Sequence, residues 1–337
     1  MIDNSSKKNS PFGIWDLNLS PITIGGLLTL LGELKVLGEQ HQATEVELGI
    51  SWIPDNSSPL SNLLGKNSQI SFTKSSACSE VPLLVMLLDM EGVAACHLFR
   101  TGTDLQEFLS QTTKCYITWP PLNSEGKVDY KYNYTHLIQK FFNERGYIPT
   151  LSSKTASRQW AMDLVRDRVL PSSPIVVHLK NYIRASGQPD WYNAQMEEWQ
   201  AFFQMARSRY DVKFLLIGNE AIPQNIQTLP NVIVTQDLGS NLLKDLALIP
   251  LSYAFMGVAS GPSNMAIFNR VPYLIYKNPE HHVEMMRKEL GTSDKFVFAT
   301  PYQRFYRRFE TSDDILKEFD RIWQNNFTSD WKTRFET

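Results

Sequence analysis

Cysteine is scarce in this chain. The 337 residues hold three, Cys78, Cys96 and Cys115, an odd number without CxxC spacing. That excludes a full disulfide framework and offers no zinc-ligand set; reduced thiols in an intracellular protein are expected. No run of 18 apolar residues occurs, so no membrane-spanning helix is expected. The first residues, MIDNSSKKNSPFG, lack the apolar core of a secretory signal and read as a flexible tail over 1–11. Charge of one sign is also missing. Lys plus Arg number 33 against 35 Asp plus Glu, a net charge of -2. This argues against a polyanion-binding surface over the whole chain and against a nucleic-acid partner, while leaving room for a local basic pocket.

Apolar residues are plentiful, at 42% against 20% charged, and the length suits about two domains. Alternation over Phe12–Leu19 predicts a strand, and Leu27, Leu30, Leu31, Leu34 and Leu37 predict a helix opened by Gly25-Gly26. EVELGISW over 45–52 is a second strand, completing the start of a Rossmann-like α/β domain over 12–151. Residues 54–79 read as a long surface excursion. The apolar run 82–90 fits a strand or a helix equally, 134–144 reads as a helix, and 147–151 as a last short strand. A Ser- and Pro-rich change over 152–173 marks a linker that contains a charged helix. Beyond it, over 174–337, strands (IVVHL, VKFLLIG, NVIVT, SYAFM, VPYLIY) alternate with helices. That pattern predicts a second doubly wound parallel sheet.

The segment most suggestive of chemistry is Met256 to Asn264, MGVASGPSN, where a strand gives way to a helix. Unpaired N–H groups and the helix dipole favour anions there, and small residues let a phosphate approach the backbone. Ser260, Gly261, Ser263 and Asn264 are therefore candidate phosphate ligands, with an ordinary tight turn as the competing reading. His178, Lys180 and Asn181 close the first strand of the second half, with Arg184 just beyond. Glu220 and Asp237 each follow a strand end. Glu280-His281-His282 lacks HExxH spacing, no GxSxG elbow is present, and neither metal nor other cofactor is expected.

The ordered series IVVHLKN, KFLLIGNE, LPNVIVTQDLG, DLALI and AFMGVASGPSNMAIFNRVPYLIY resembles the C-terminal donor domain of GT-B glycosyltransferases. Its layout is similar to heptosyltransferase-like and fucosyltransferase-like members. DLNLSPIT over 16–23 resembles their first acceptor-side loop. The likeness covers 12–52 and 174–325. It implies two Rossmann-like domains and an enzyme of polysaccharide biosynthesis. Such an enzyme moves sugar from a nucleotide-diphosphate donor to a glycan or lipid-linked acceptor, in the cytoplasm or peripherally at a membrane. It also implies that Lys180 and Arg184 meet the diphosphate and that Asp16 is the catalytic base; Glu220 and Asp237, from their strand-end positions, either face the base or ribose of the nucleotide or are simple turn residues. The Glu-x7-Glu pattern of many retaining members is lacking, so the stereochemical outcome stays open. A nucleotide-sugar epimerase, or a non-catalytic nucleotide-sugar-binding module, would share the fold.

Overall fold

The computed structural model describes residues 10–53, 59–73, 81–125, 127–128, 135–183, 192–324 and 331–332. The chain divides into two compact units, Met1–Leu151 and Ser152–Thr337.

The first unit opens with strand β1 (Ser10–Asp16), helix α1 (Ile24–His41) and strand β2 (Val46–Ser51). The Thr23 hydroxyl accepts the Gly26 N–H at 3.0 Å and fixes the start of α1. Its leucine stripe is buried. The excursion expected over 54–79 holds real elements: helix α2 (Pro59–Leu64) and strand β3 (Gln69–Thr73). The ambiguous run at 82–90 is helix α3 (Pro82–Asp89), with Pro82 in its first turn. Strand β4 (Val93–Phe99) follows, and the sequence reading missed it. VAACHLF has too few β-branched residues to stand out, and burial on both sides removes the alternation. Helix α4 (Gly102–Gln111), strand β5 (Tyr116–Trp119) and helix α5 (His136–Arg145) complete the unit. Thr101 and Asp104 form a reciprocal capping box on α4. Residues 147–151 form no strand.

The five strands lie in the order β3-β4-β2-β1-β5, parallel except for β3 against β4. From β1 the chain steps through β2 toward β4, then returns to place β5 on the other side of β1. Asp16 ends β1 at the edge where ligands sit in such sheets.

The expected linker is mostly helix α6 (Thr155–Arg168), which belongs to the second unit. There follow β6 (Ser173–His178), α7 (Met196–Arg207), β7 (Val212–Leu216), α8 (Gln224–Gln227) and β8 (Val232–Val234). A 3-10 turn over Thr235–Leu238 leads to α9 (Leu242–Leu251), against which α6 packs. The last elements are β9 (Ala254–Val258), α10 (Ser263–Ile267), β10 (Tyr273–Tyr276), α11 (Val283–Leu290), β11 (Gln303–Tyr306) and α12 (Ser312–Gln324). All six strands are parallel, in the order β11-β10-β9-β6-β7-β8. Both faces are covered, which is why these strands read as unbroken apolar runs. Trp199, Phe202, Phe203, Phe214 and Phe319 form one buried aromatic cluster between sheet and helices. Among the described residues, no helix is long and apolar enough to cross a membrane.

Candidate functional site

In the second sheet the winding reverses between β6 and β9. The chain runs from β6 through β7 to β8 on one side, and from β9 through β10 to β11 on the other. Ligands of open parallel sheets bind outside the strand carboxyl ends at such a reversal. His178 and Gly257 are register partners there.

His178 is buried, and its Nε2 lies 3.2 Å from Glu220 Oε1. Burial would raise the Glu220 carboxyl, but the His178 hydrogen bond and charge outweigh it and hold the pKa below the usual range. Gly218 makes this pairing possible: at φ +100 it occupies left-handed backbone, and any Cβ would collide with Glu220 and His178. Its N–H donates to Asp245 Oδ2 at 2.9 Å. Asp245, buried on α9, also accepts from the hydroxyls of Thr235 at 3.0 Å and Ser240. Burial raises its carboxyl against those hydrogen bonds.

The loop after β9 carries Ser260, Gly261, Ser263 and Asn264. The Ser263 hydroxyl donates to the Ser260 carbonyl at 2.6 Å and accepts the Ser260 N–H at 3.2 Å, so it is committed to shaping the turn. Asn264 N–H bonds back to Gly261 carbonyl at 3.2 Å. Helix α10 has five residues, too short for a strong dipole. The phosphate cradle read from the sequence thus reduces to the loop's small residues and the Ser260 hydroxyl. That hydroxyl is buried and meets no protein partner.

It is not alone. His178 Nδ1, Glu220 Oε2 and the Tyr276 hydroxyl are also buried without a protein hydrogen bond, and all three stand at the carboxyl ends of β6, β7 and β10. Folded proteins satisfy nearly all buried polar atoms, so this group of exceptions near the strand carboxyl ends is open to hydrogen bonds from outside the protein.

A cationic cluster borders these atoms. Lys180 follows β6, and its Nζ sits 4.6 Å from the centroid of the Tyr192 ring. Tyr192 stacks on His281 at 4.0 Å, and His281 Nδ1 lies 3.1 Å from Nζ of the buried Lys277. Burial, reinforced by the Lys180 charge, brings the Lys277 amine down to about 8. A pocket between the ends of β9 and β10 is lined by Tyr192, Ala259, Tyr276, Lys277, His281 and Glu310, among others.

The remaining residues singled out in the sequence are spread around this edge. Asn181 bonds the Ala221 carbonyl and ties the β6 loop to the segment after Glu220. Asp237 is exposed on the 3-10 turn beyond β8. Arg184 lies outside the described residues. Lys277 and Tyr276 were not singled out. Their one sequence signal is a lysine ending the otherwise apolar VPYLIY run.

In the first unit Asp16 is buried at the end of β1, and its Oδ1 accepts the Asn18 N–H at 2.8 Å. Burial raises its carboxyl, and the Asn18 hydrogen bond opposes the rise. A second polar group lies near the amino end of β2. Glu47 Oε2 is 2.8 Å from His97 Nε2 and accepts from the Tyr116 hydroxyl at 2.7 Å, while Lys114 holds Oε1. His97 Nδ1 in turn meets the Ser71 hydroxyl at 2.8 Å. This Ser-His-Glu chain sits at the opposite strand ends from Asp16, among Phe12, Phe99 and Phe108, and it ties the edge strand β3 to the sheet. Burial alone would raise the Glu47 carboxyl. Hydrogen bonds from His97, Lys114 and Tyr116 outweigh that and hold it at about 2. Its stabilisation is complete above the ordinary carboxylate pKa of 4.5 and is lost as pH falls from there through 2. The linked contribution is roughly 3 kcal/mol. Acid unfolding of Glu47→Gln should therefore lose part of the steepness seen in the native chain between those limits. Identical pH dependence of the two proteins would contradict the assignment.

No protein-family model matches the chain, and no curated protein matches it in sequence. Solved structures do match. The ADP-heptose lipopolysaccharide heptosyltransferase II of E. coli superposes with a TM-score of 0.51 at 10% identity, covering 94% of this chain and 99% of that one. The chain has the GT-B fold. A family 9 glycosyltransferase of Veillonella parvula matches with a TM-score of 0.47 at 12% identity, over 94% of this chain and 90% of its own. The GT-B architecture expected from the residues is thus what the structure contains, two α/β units each built on a mainly parallel sheet.

Proposed function

We propose that this protein is a glycosyltransferase that takes a sugar from a nucleotide-diphosphate donor and passes it to a glycan or lipid-linked acceptor. The observation that carries this reading is the group of unsatisfied buried polar atoms at the β6–β9 reversal, on His178, Glu220 and Ser260. Support comes from the fold shared with a heptosyltransferase whose donor is ADP-heptose. In this reading the second unit is the donor domain and the first the acceptor domain. His178 and Glu220 face the nucleoside, whose ribose hydroxyls can donate to Glu220 and bond to His178 Nδ1. Lys180, the Ser260–Asn264 loop and Arg184 serve the diphosphate.

Chemically the transfer needs two things: charge stabilisation on the departing diphosphate and removal of a proton from the acceptor hydroxyl. Lysine side chains at the strand ends meet the first need. Asp16 meets the second, because burial makes its carboxylate a better proton acceptor than an exposed one.

Thermal-shift screening of ADP-, UDP-, GDP- and CMP-linked sugars, beginning with ADP-heptose, tests the reading. A true donor at 100 Kd should stabilise the protein by roughly 2.7 kcal/mol. Lys180→Ala should weaken that donor about tenfold, a loss of roughly 1.4 kcal/mol. Stabilisation by none of the four classes would overturn the proposal. Turnover of donor without any acceptor would replace it with an epimerase.

A further inference from the structure

We propose that Ser71 is an activated nucleophile, the centre of a second, hydrolytic site in the first unit that cleaves small carboxylic esters. The inference is independent of the sugar-transfer reading, since it uses other residues at the other strand ends of that unit.

Three side chains from three strands carry it. Ser71 of β3 lies opposite His97 of β4 in the antiparallel register, and its hydroxyl is 2.8 Å from His97 Nδ1. His97 Nε2 is 2.8 Å from Glu47 Oε2 on β2. The tautomer follows from the acid. Glu47 takes hydrogen bonds from His97, Lys114 and Tyr116 and is held at about 2, so at neutral pH it is a carboxylate that only accepts. A neutral His97 must therefore carry its proton on Nε2 and leave Nδ1 bare, and the Ser71 hydroxyl donates to that bare nitrogen. This is the nucleophile, base and orienting acid of a catalytic triad, recognised by roles and geometry rather than by sequence order or by which ring nitrogen serves.

Exposure adds a direction. Glu47 and His97 are buried, whereas Ser71 is exposed. The hydrogen-bond chain thus runs from a sequestered acid outward to a hydroxyl that solvent reaches. The ladder also supplies a donor for the developing oxyanion. The Arg100 N–H bonds the Ser68 carbonyl at 2.9 Å, which makes Ser68 and Arg100 a hydrogen-bonded pair. Pairs alternate along an antiparallel ladder, so Ser71 and His97 form a non-hydrogen-bonded pair. Their side chains are drawn together, and the Ser71 N–H points away from β4, toward the open edge of the sheet where β3 is the last strand. In serine hydrolases the N–H of the nucleophile itself is one of the oxyanion donors. The half-buried Phe108 ring, 4.8 Å from the His97 ring, offers an apolar surface to a short acyl chain.

The chemistry closes with water as the only co-reactant. Ser71 Oγ bonds to the ester carbonyl carbon while its proton passes to His97 Nδ1. Collapse of the adduct breaks the ester C–O bond, and the alcohol leaves with that proton. Water then adds to the acyl carbon, again giving a proton to His97. The acid departs as Ser71 recovers its hydrogen.

The test uses the full chain with p-nitrophenyl acetate as substrate and diisopropyl fluorophosphate as label. The native protein should release p-nitrophenolate catalytically and take up one phosphoryl group, mapped to Ser71 by mass spectrometry. Ser71→Ala should abolish both. It removes only an exposed hydroxyl, so it decides the question even where a variant of buried His97 fails to fold. His97→Ala should slow labelling roughly a hundredfold or more, and added imidazole should restore part of the rate, which a merely structural histidine would not allow. Nitrogen NMR of the neutral His97 ring should place its proton on Nε2, and Glu47→Gln should lose that preference together with the labelling rate. Ester turnover unchanged in Ser71→Ala would overturn the inference, as would labelling confined to another residue. A native His97 protonated on Nδ1 would overturn it as well, because Ser71 would then accept a hydrogen bond instead of giving one.

Discussion

Asp16→Asn is expected to lower kcat by roughly a hundred- to ten-thousandfold, the usual worth of a general base, with donor affinity nearly unchanged. The substitution keeps size and shape, and an asparagine oxygen can still accept the Asn18 N–H that fixes the loop after β1. What it removes is the proton acceptor. Because burial raises the Asp16 carboxyl, kcat of the native enzyme should climb as pH rises through that raised pKa, where the carboxylate forms. The variant should show no such limb. Turnover at the native rate in Asp16→Asn would remove Asp16 from the mechanism, and the donor titration would be unaffected by that outcome.

Gly257→Ala is expected to destabilise the second unit by roughly 2–6 kcal/mol, combining strained backbone with overpacking. Gly257 lies inside β9 with φ +144, a conformation side chains rarely adopt. An added Cβ would fall within van der Waals distance of the His178 carbonyl, carbon and amide nitrogen. All three are backbone atoms of the register partner, so no rotamer change can relieve the clash. Even a protein that still folds should lose donor affinity, since relief must come from shifting the His178 backbone. Gly146→Ala is the comparison. Gly146 caps α5 at φ +78 with nothing within 4 Å, so only the backbone term of about 1 kcal/mol applies. Chemical denaturation of both variants checks the difference. Losses within 1 kcal/mol of each other would show that the β6–β9 approach is looser than described.

The sequence by itself determined the class of this protein and most of its second half. Apolar strands separated by amphipathic helices admit little besides a parallel, doubly covered sheet, because each run must bury both faces. The leucine stripe of α1 and the strand-end positions of His178, Lys180 and Glu220 were legible for the same reason: each is a local pattern whose meaning depends on neighbours a few residues away. Strands β3, β4 and β11 were not legible. They are short or weak in β-branched residues, and pairing with distant partners decides their conformation. The site divides along the same line. MGVASGPSN showed where a strand turns into a helix, but not that Ser263 spends its hydroxyl on Ser260. Only the tertiary structure decided which glycines are indispensable, since Gly218 and Gly257 owe their role to His178, 40 and 79 positions away in the chain. It alone brought Lys277 beside Lys180 and joined Ser71, His97 and Glu47. A charge has no meaning for function until folding sets its solvent exposure and its partners, and those come from residues far apart in sequence.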